Sequence, residues 1–282
     1  MRFSVVIVNY DSWSHTVRCI DSLLATSRED LQILVVDNEG ATTPELHYDI
    51  TLIQNPANEG FARACNQGIE TSDGDCVILI NPDTRVKRDF FELLEEFFVA
   101  EPKAGIAGPR IVDDDGNLQL SARKEVSFVS GFLGRTSLLT RLFPKSAAIR
   151  RMFPAADVSS GSREVDWISG ACLVARSSVL DEIGGLDERF FMYFEDTDLC
   201  RRSRDAGYPV YYLPQVEVIH LTGASSNNKF RAVWRLHKSA FLYHRKYGPH
   251  GPLNLYSVLV LLGLCARGLV KLLVVSKAKP KD

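Results

Sequence analysis

Residues 3–11 read Phe3-Ser4-Val5-Val6-Ile7-Val8-Asn9-Tyr10-Asp11, a β-branched apolar run that breaks abruptly into polar residues. A short apolar run without polar alternation is the pattern of a parallel strand buried on both faces. Working outward, residues 14–26 carry Val17, Ile20, Leu23 and Leu24 at helical spacing. Residues 31–36 and 50–54 repeat the buried-strand pattern, 62–70 read as a helix, 76–80 as a fourth strand and 89–99 as another helix. Strand–helix alternation of this kind predicts an α/β fold with a mostly parallel central sheet flanked by helices.

Past residue 110 the pattern loosens. Asp113-Asp114-Asp115-Gly116-Asn117 reads as a solvated hairpin turn, because the spaced ligands and terminal Glu of a calcium loop are missing. Residues 121–162 mix Arg, Phe, Leu and Pro without sustained periodicity, the character of a functional loop or lid. Apolar character resumes over 165–176. Helices are expected at 178–183 and 196–206, and two short strands at 210–212 and 216–220.

The chain has 282 residues, and its 45% hydrophobic and 24% charged content suits a globular protein. A formal net charge of -2 offers no footprint of nucleic-acid binding. Six scattered cysteines without a CxxC pair argue against a zinc site or a disulfide framework, and fit a reducing compartment. The first apolar run follows a single charge, without the order of an export signal, so a cytoplasmic address is expected.

Polar residues follow the predicted strands at Asn9-Tyr10-Asp11, Asp37-Asn38, Asn55 and Asn81-Pro82-Asp83. Any one of them is a good turn former. As a set they mark the carboxyl edge of the sheet, where open α/β folds bind ligands. Asp83 is a hard oxygen ligand suited to Mg²⁺ or Mn²⁺ bridging phosphates, although it also suits a helix N-cap. Glu195-Asp196-Thr197-Asp198 puts three carboxylates within four residues, directly after Phe190-Phe191-Met192-Tyr193-Phe194. A helix start favours acidic residues. An acidic knot against bulky apolar residues also lies between core and cleft, where a carboxylate's pKa can rise toward that of a working base. His220 closes an apolar run ahead of Thr222-Gly223, and gains meaning only as a second metal ligand beside Asp83.

The ordered series Val5-Val6-Ile7-Val8-Asn9-Tyr10, Val35-Val36-Asp37-Asn38, Asn58-Glu59-Gly60-Phe61-Ala62-Arg63-Ala64-Cys65-Asn66-Gln67-Gly68-Ile69 and Leu79-Ile80-Asn81-Pro82-Asp83 closely resembles the family 2 glycosyltransferases of GT-A fold. Trp167-Ile168-Ser169-Gly170-Ala171, Gly184-Gly185-Leu186-Asp187-Glu188 and Phe194-Glu195-Asp196-Thr197-Asp198-Leu199 continue it, and the match runs from about Arg2 to Tyr247. Within that family the chain is similar to the bacterial rhamnosyltransferases that build cell-wall or O-antigen linkers.

The resemblance implies an inverting transferase of the nucleotide-diphospho-sugar type, using Mg²⁺ or Mn²⁺. Its donor would be dTDP-rhamnose or another dTDP- or UDP-sugar, and its acceptor a hydroxyl of a glycan or polyprenyl-diphosphate-linked sugar. Tyr10, Asp11 and Asp37 would hold base and ribose, with Asn9 lining the strand end. Asn58, Gly60, Phe61, Arg63 and Asn66 would approach the donor. Asp83 would bind the metal, with Asn81 where the family's motif carries a first acidic residue, and His220 would complete the metal or diphosphate contacts. Trp167 and Gly170 would wall the sugar, Asp196 would be the base with Glu195 as fallback, and Arg123 is a candidate for the diphosphate.

The domain reading is a transferase unit at 1–247, divided into a nucleotide-sugar half at 1–110 and an acceptor half at 111–247. A tail follows at 248–282. Residues 253–275 are mostly apolar but interrupted by Arg267 and Lys271, with Lys277, Lys279 and Lys281 beyond. An uncharged core too short to span a bilayer suggests an interfacial helix on anionic lipid at the inner face of the membrane. The alternative is a helix that closes the domain or forms a homodimer interface. Two rival functions are a sugar nucleotidyltransferase, which would carry a Gly-rich basic loop after the first strand, and a non-catalytic nucleotide-sugar-binding module. A Rossmann dehydrogenase is excluded by the missing GxGxxG.

Overall fold

The computed structural model describes residues 1–39, 43–123, 161–221, 229–248, 257–258 and 261–265. Strand β1 (Phe3–Asn9) is buried along its whole length. It lies between β2 (Leu31–Asn38) and β4 (Cys76–Ile80), parallel to both, and β3 (Thr51–Asn55) extends the parallel run beyond β2. Phe3, Val5 and Ile7 face a core that includes Cys19, Ile20 and Leu23 of helix α1 (Trp13–Leu24). Val6 and Val8 face the opposite core, with Ala62, Ala64 and Cys65 of α2 (Phe61–Thr71). Both faces are covered, which is why the strand shows no polar alternation.

The remaining elements are β5 (Thr84–Val86), α3 (Phe90–Ala100), β6 (Ile106–Val112), β7 (Leu118–Gln119), β8 (Ala122–Arg123), β9 (Arg163–Val165), β10 (Trp167–Ile168), β11 (Cys172–Arg176), α4 (Ser177–Ile183), α5 (Glu195–Asp205), β12 (Val210–His220) and α6 (Lys229–Tyr247). The main sheet runs β3-β2-β1-β4-β11-β6-β12-β5, with β7 beside β6 and β9 beside β12. β11 enters antiparallel between β4 and β6, and β12 returns parallel to β6. β8 and β10 form a separate antiparallel pair. α3 inserts Phe90, Phe91, Leu94, Phe97 and Phe98 under the sheet, each such burial contributing about 1.5–3 kcal/mol.

One expectation is corrected. The two strands expected at 210–212 and 216–220 are a single strand, β12, whose register against β6 shifts between Leu213 and Glu217. Pro214 has no N–H for the ladder, so the strand bulges there instead of ending. The Asp113 turn is as expected: the Asp113 carboxylate accepts from the amides of Asp115 and Asn117. Helix α6 was not anticipated. Most of the segment 121–162 lies outside the described residues, as do Thr222, Gly223, Arg267, Lys271 and the terminal lysines. Among the described residues no helix is long and apolar enough to cross a membrane.

Candidate active site

The carboxyl ends of β1 and β2 meet in a buried polar net. The Asn9 amide donates to Asp37 Oδ1 at 2.9 Å, and its oxygen accepts from the hydroxyls of Ser12 (3.1 Å) and Thr16 (2.9 Å). Asp37 also accepts from the Thr43 hydroxyl at 3.1 Å. Asn9 is fully engaged beneath the site and fixes Asp37, while Tyr10 and Asp11 stand exposed beyond it. Asp11 adopts a left-handed φ of 50°, which turns the chain off the strand.

Asn38 is buried and clips the next loop to β2. It accepts from the Glu59 amide at 3.0 Å and donates to Asn58 Oδ1 and the Gly60 carbonyl at 3.2 and 3.3 Å. Gly60 has φ +92°, and a Cβ there would lie 2.8 Å from the Phe191 ring. The Phe61 amide donates to the Phe191 carbonyl at 2.7 Å, which joins this loop to the aromatic run ahead of the acidic knot. Arg63 is half exposed and pairs with Glu59 at 3.5 Å. The Asn66 amide donates to the Leu186 carbonyl and to Glu188, and accepts from the Leu186 amide. It therefore anchors the Gly184–Glu188 turn from below.

At the end of β4 the chain turns through Asn81-Pro82 and buries Asp83. Pairing of β5 with β12 sets His220 opposite Thr84, and the His220 Nε2 atom comes 3.3 Å from Asp83 Oδ1. Gln119 Nε2 donates to the His220 carbonyl at 2.7 Å, which directs its Oε1 to His220 Nδ1 at 3.0 Å. The reverse amide orientation would oppose two carbonyl oxygens. In the neutral ring the proton therefore sits on Nδ1, and the Nε2 lone pair faces the carboxylate. Two facing acceptors are stable with a cation between them, so this pair fits a divalent metal, with Gln119 fixing the ring behind it. Among the described residues no group of three or more His, Cys, Asp or Glu forms a metal cage. The two side chains suit an ion that takes its remaining ligands from water and phosphate, as Mg²⁺ does.

The acidic knot resolves into three different environments. Asp198 is fully buried and saturated: Arg202, Lys246 and Tyr247 donate to it at 2.6–2.7 Å. Glu195 is buried, and its carboxyl is pushed well above the usual range, first by burial and then by the charge of Asp196. Burial therefore disfavours the charged form of Glu195, the form a proton acceptor needs. Asp196 is half-buried and accepts from the Gly170 amide at 2.9 Å and from the Thr197 amide at 2.6 Å. Tyr193 and Phe194, just upstream, both have φ of 69°. Strain of this kind, about 1–3 kcal/mol per residue, is characteristic of functional turns.

The Trp167–Ala171 segment links Asn81 to Asp196. The Ala171 carbonyl accepts from the Asn81 amide at 3.0 Å and from the Thr84 hydroxyl at 3.3 Å, while the preceding amide holds Asp196. Trp167 is buried, its indole N–H has no partner among the described residues, and the Arg123 guanidinium stacks on its ring at 4.6 Å. Arg123 thus lies against Trp167, at the pairing of β8 with β10. Asn38 and Gln119 are the positioning residues that sequence reasoning missed. Asn38 was in view as a strand-end polar residue, whereas an isolated Gln carries no signal.

Comparison with known proteins bears on the family and the fold. The family described as "Glycosyl transferase family 2" matches residues 4–163. The chain is 33% identical over 233 residues to an N-acetylglucosaminyl-diphospho-decaprenol L-rhamnosyltransferase of Mycobacterium tuberculosis, covering 77% of this chain and 75% of the relative. It is 25% identical over 272 residues to the dTDP-rhamnosyl transferase RfbF of Shigella flexneri, covering 89% and 81%. Among solved structures, GalNAc-T7 with UDP, GalNAc and Mn²⁺ superposes with a TM-score of 0.64 at 15% identity over 86% of this chain, which spans 48% of that structure's length. The fold is therefore of the GT-A class.

Proposed function

Because the chain belongs to glycosyl transferase family 2, we propose that it is an inverting rhamnosyltransferase moving L-rhamnose from dTDP-rhamnose to a hydroxyl of a polyprenyl-diphosphate-linked glycan. That it is a glycosyltransferase of polysaccharide synthesis follows from the family and its rhamnosyltransferase relatives, and this removes the nucleotidyltransferase and binding-module alternatives. The donor is supported by the dTDP-rhamnosyl relative, and the lipid-linked acceptor by the decaprenol relative.

The observation that carries the mechanism is the split between Glu195 and Asp196. Of two adjacent carboxyls, burial pushes Glu195 toward its protonated form, whereas Asp196 is half-buried and oriented by the Gly170 amide. In this reading Asp37, Tyr10 and Asp11 receive the nucleoside, and the Asn58–Arg63 loop closes over the sugar diphosphate. The acceptor oxygen attacks the anomeric carbon as the bond to the diphosphate oxygen breaks. Asp196 takes the hydroxyl proton, and the nucleoside diphosphate departs with the bonding pair. A divalent cation at Asp83 and His220 would supply charge neutralisation for that leaving group. A single displacement inverts the centre, so a β-linked donor gives an α product. Residues 1–110 serve the donor and 111–247 the acceptor and base, while the 248–282 tail rests at the inner membrane face.

A screen of dTDP- and UDP-sugars with and without Mn²⁺, followed by NMR of the product's anomeric centre, tests this reading. Metal-dependent release of dTDP from dTDP-rhamnose with an inverted product is expected. Preference for a UDP-sugar would overturn the donor, and a retained configuration would overturn the mechanism.

A further inference from the structure

Helix α6 holds six Lys and Arg residues and no Asp or Glu, in a chain whose net charge is only -2. Part of that charge lines a cleft of about 210 Å³ formed by Arg189, Phe191, Trp234, Arg235, Lys238, Ser239 and Leu242. Trp234, Lys238 and Leu242 follow at four-residue intervals, so one edge of the helix presents a cation between two apolar side chains. Trp234 is 66% exposed. Arg235 stacks its guanidinium on the Phe191 ring at 4.3 Å, and Arg189 pairs with Asp187. Among the described residues no carboxylate is in ion-pair contact with Arg235 or Lys238.

The cleft adjoins the proposed chemistry through Phe191. Phe191 meets Gly60 of the candidate donor loop and also carries the Arg235 guanidinium on its ring. Ser239 donates to the Met192 carbonyl at 2.8 Å, so α6 is seated on the strained turn that leads into Asp196. The half-buried Tyr193 of that turn is within electrostatic reach of both Glu195 and Arg235. At its far end α6 is locked to α5 by Lys246 and Tyr247 on Asp198. His244 contacts Ser257 at 3.0 Å, and Val258, Leu261 and Leu262 close by in the chain are exposed.

We propose that the Arg189–Arg235–Lys238 cleft binds the diphosphate of the lipid-linked acceptor, with Trp234 and Leu242 against the first part of its prenyl chain. The assignment rests on the acceptor class proposed above and deepens it. The Arg235 guanidinium and the Lys238 ammonium suit phosphate oxygens, Arg189 being held at the rim by Asp187, and a flanking apolar rim suits a ligand that is a charged head on a hydrocarbon chain. A diphosphate held here would direct the sugar it carries along the turn toward Asp196.

The test is titration of the full chain with farnesyl diphosphate in EDTA, against farnesol, dTDP and phosphatidylglycerol vesicles. Without a donor sugar present, the result is readable whether or not rhamnosyl transfer is the reaction. Expected are saturable binding of farnesyl diphosphate, far weaker binding of farnesol, no displacement by dTDP, and a loss of about tenfold or more in Lys238→Glu. Lys238→Gln and Arg189→Gln, at exposed positions that tolerate change, should each weaken binding severalfold. Unchanged affinity in all three variants overturns the proposal, and so does displacement by dTDP. Equal binding to phosphatidylglycerol vesicles, with the same loss in Lys238→Glu, would also overturn it in favour of a general anionic surface.

Discussion

The Gly170 amide donates to Asp196 Oδ2 at 2.9 Å, and a Cβ on Gly170 would come within 3.4 Å of the Asp196 side chain. One residue later the Ala171 carbonyl receives the Asn81 amide from the loop that carries Asp83. A single dipeptide therefore sets the spacing between the candidate base and the candidate metal ligand. The separate roles of the groups it joins can be tested one at a time.

Glu195 tests the electrostatics. Its folded pKa lies well above the ordinary carboxyl value, owing to burial and then to the Asp196 charge. Between the unfolded value, about 4.3, and the raised folded value, the native state binds more protons. Stability therefore falls as pH rises through that window, and the contribution is fully present only below it. Glu195→Gln removes the group that must take up a proton on folding and should melt above wild type at higher pH, with the gap closing toward about pH 4. Melting curves across that range check it, and a Gln variant that loses stability relative to wild type as pH rises would show that Glu195 is ionised and paired.

Gln119 tests the metal pair. It holds His220 Nδ1 and the His220 carbonyl but touches neither candidate ligand atom. Gln119→Ala should weaken Mn²⁺ binding by about 10–100-fold, read by electron paramagnetic resonance with dTDP present. Unaltered Mn²⁺ affinity would remove Gln119 from the role given to it here.

Gly60 tests the coupling of the donor loop to the aromatic run. Its φ of +92° and the Phe191 ring and carbonyl at 2.8–2.9 Å leave no place for a methyl group. Gly60→Ala should cost about 1–3 kcal/mol of stability and raise the KM for the nucleotide sugar. A variant with wild-type melting and wild-type donor KM would mean that the loop moves freely of Phe191.

The parallel half of the fold was legible because β1, β2 and β4 are covered on both faces, leaving uninterrupted apolar runs. The continuity of β12 was not legible, since a proline such as Pro214 ordinarily ends a ladder, whereas here the strand bulges and continues. β7, β8 and β10 span two residues each and are too short to show a period. Helix α6 is amphipathic, with five of its six Lys and Arg residues within an arc of about 100°, but Arg235 and Lys238 acquire meaning only beside Phe191. Asp83 and Asp196 were visible in order and setting. Which carboxyl of the knot has its pKa raised depended on burial and pairing, which the sequence does not display: Asp198 is paired with Arg202 and Lys246 and accepts from the Tyr247 hydroxyl.

Asp196 carries the central claim, because it alone of the three carboxylates in the knot combines access with an orienting amide. The decisive measurement is turnover of Asp196→Asn with dTDP-rhamnose and a lipid-linked acceptor, taken alongside its dTDP affinity. The account predicts a loss of about 10²–10⁴ in rate with dTDP binding close to wild type. Near wild-type turnover would contradict it.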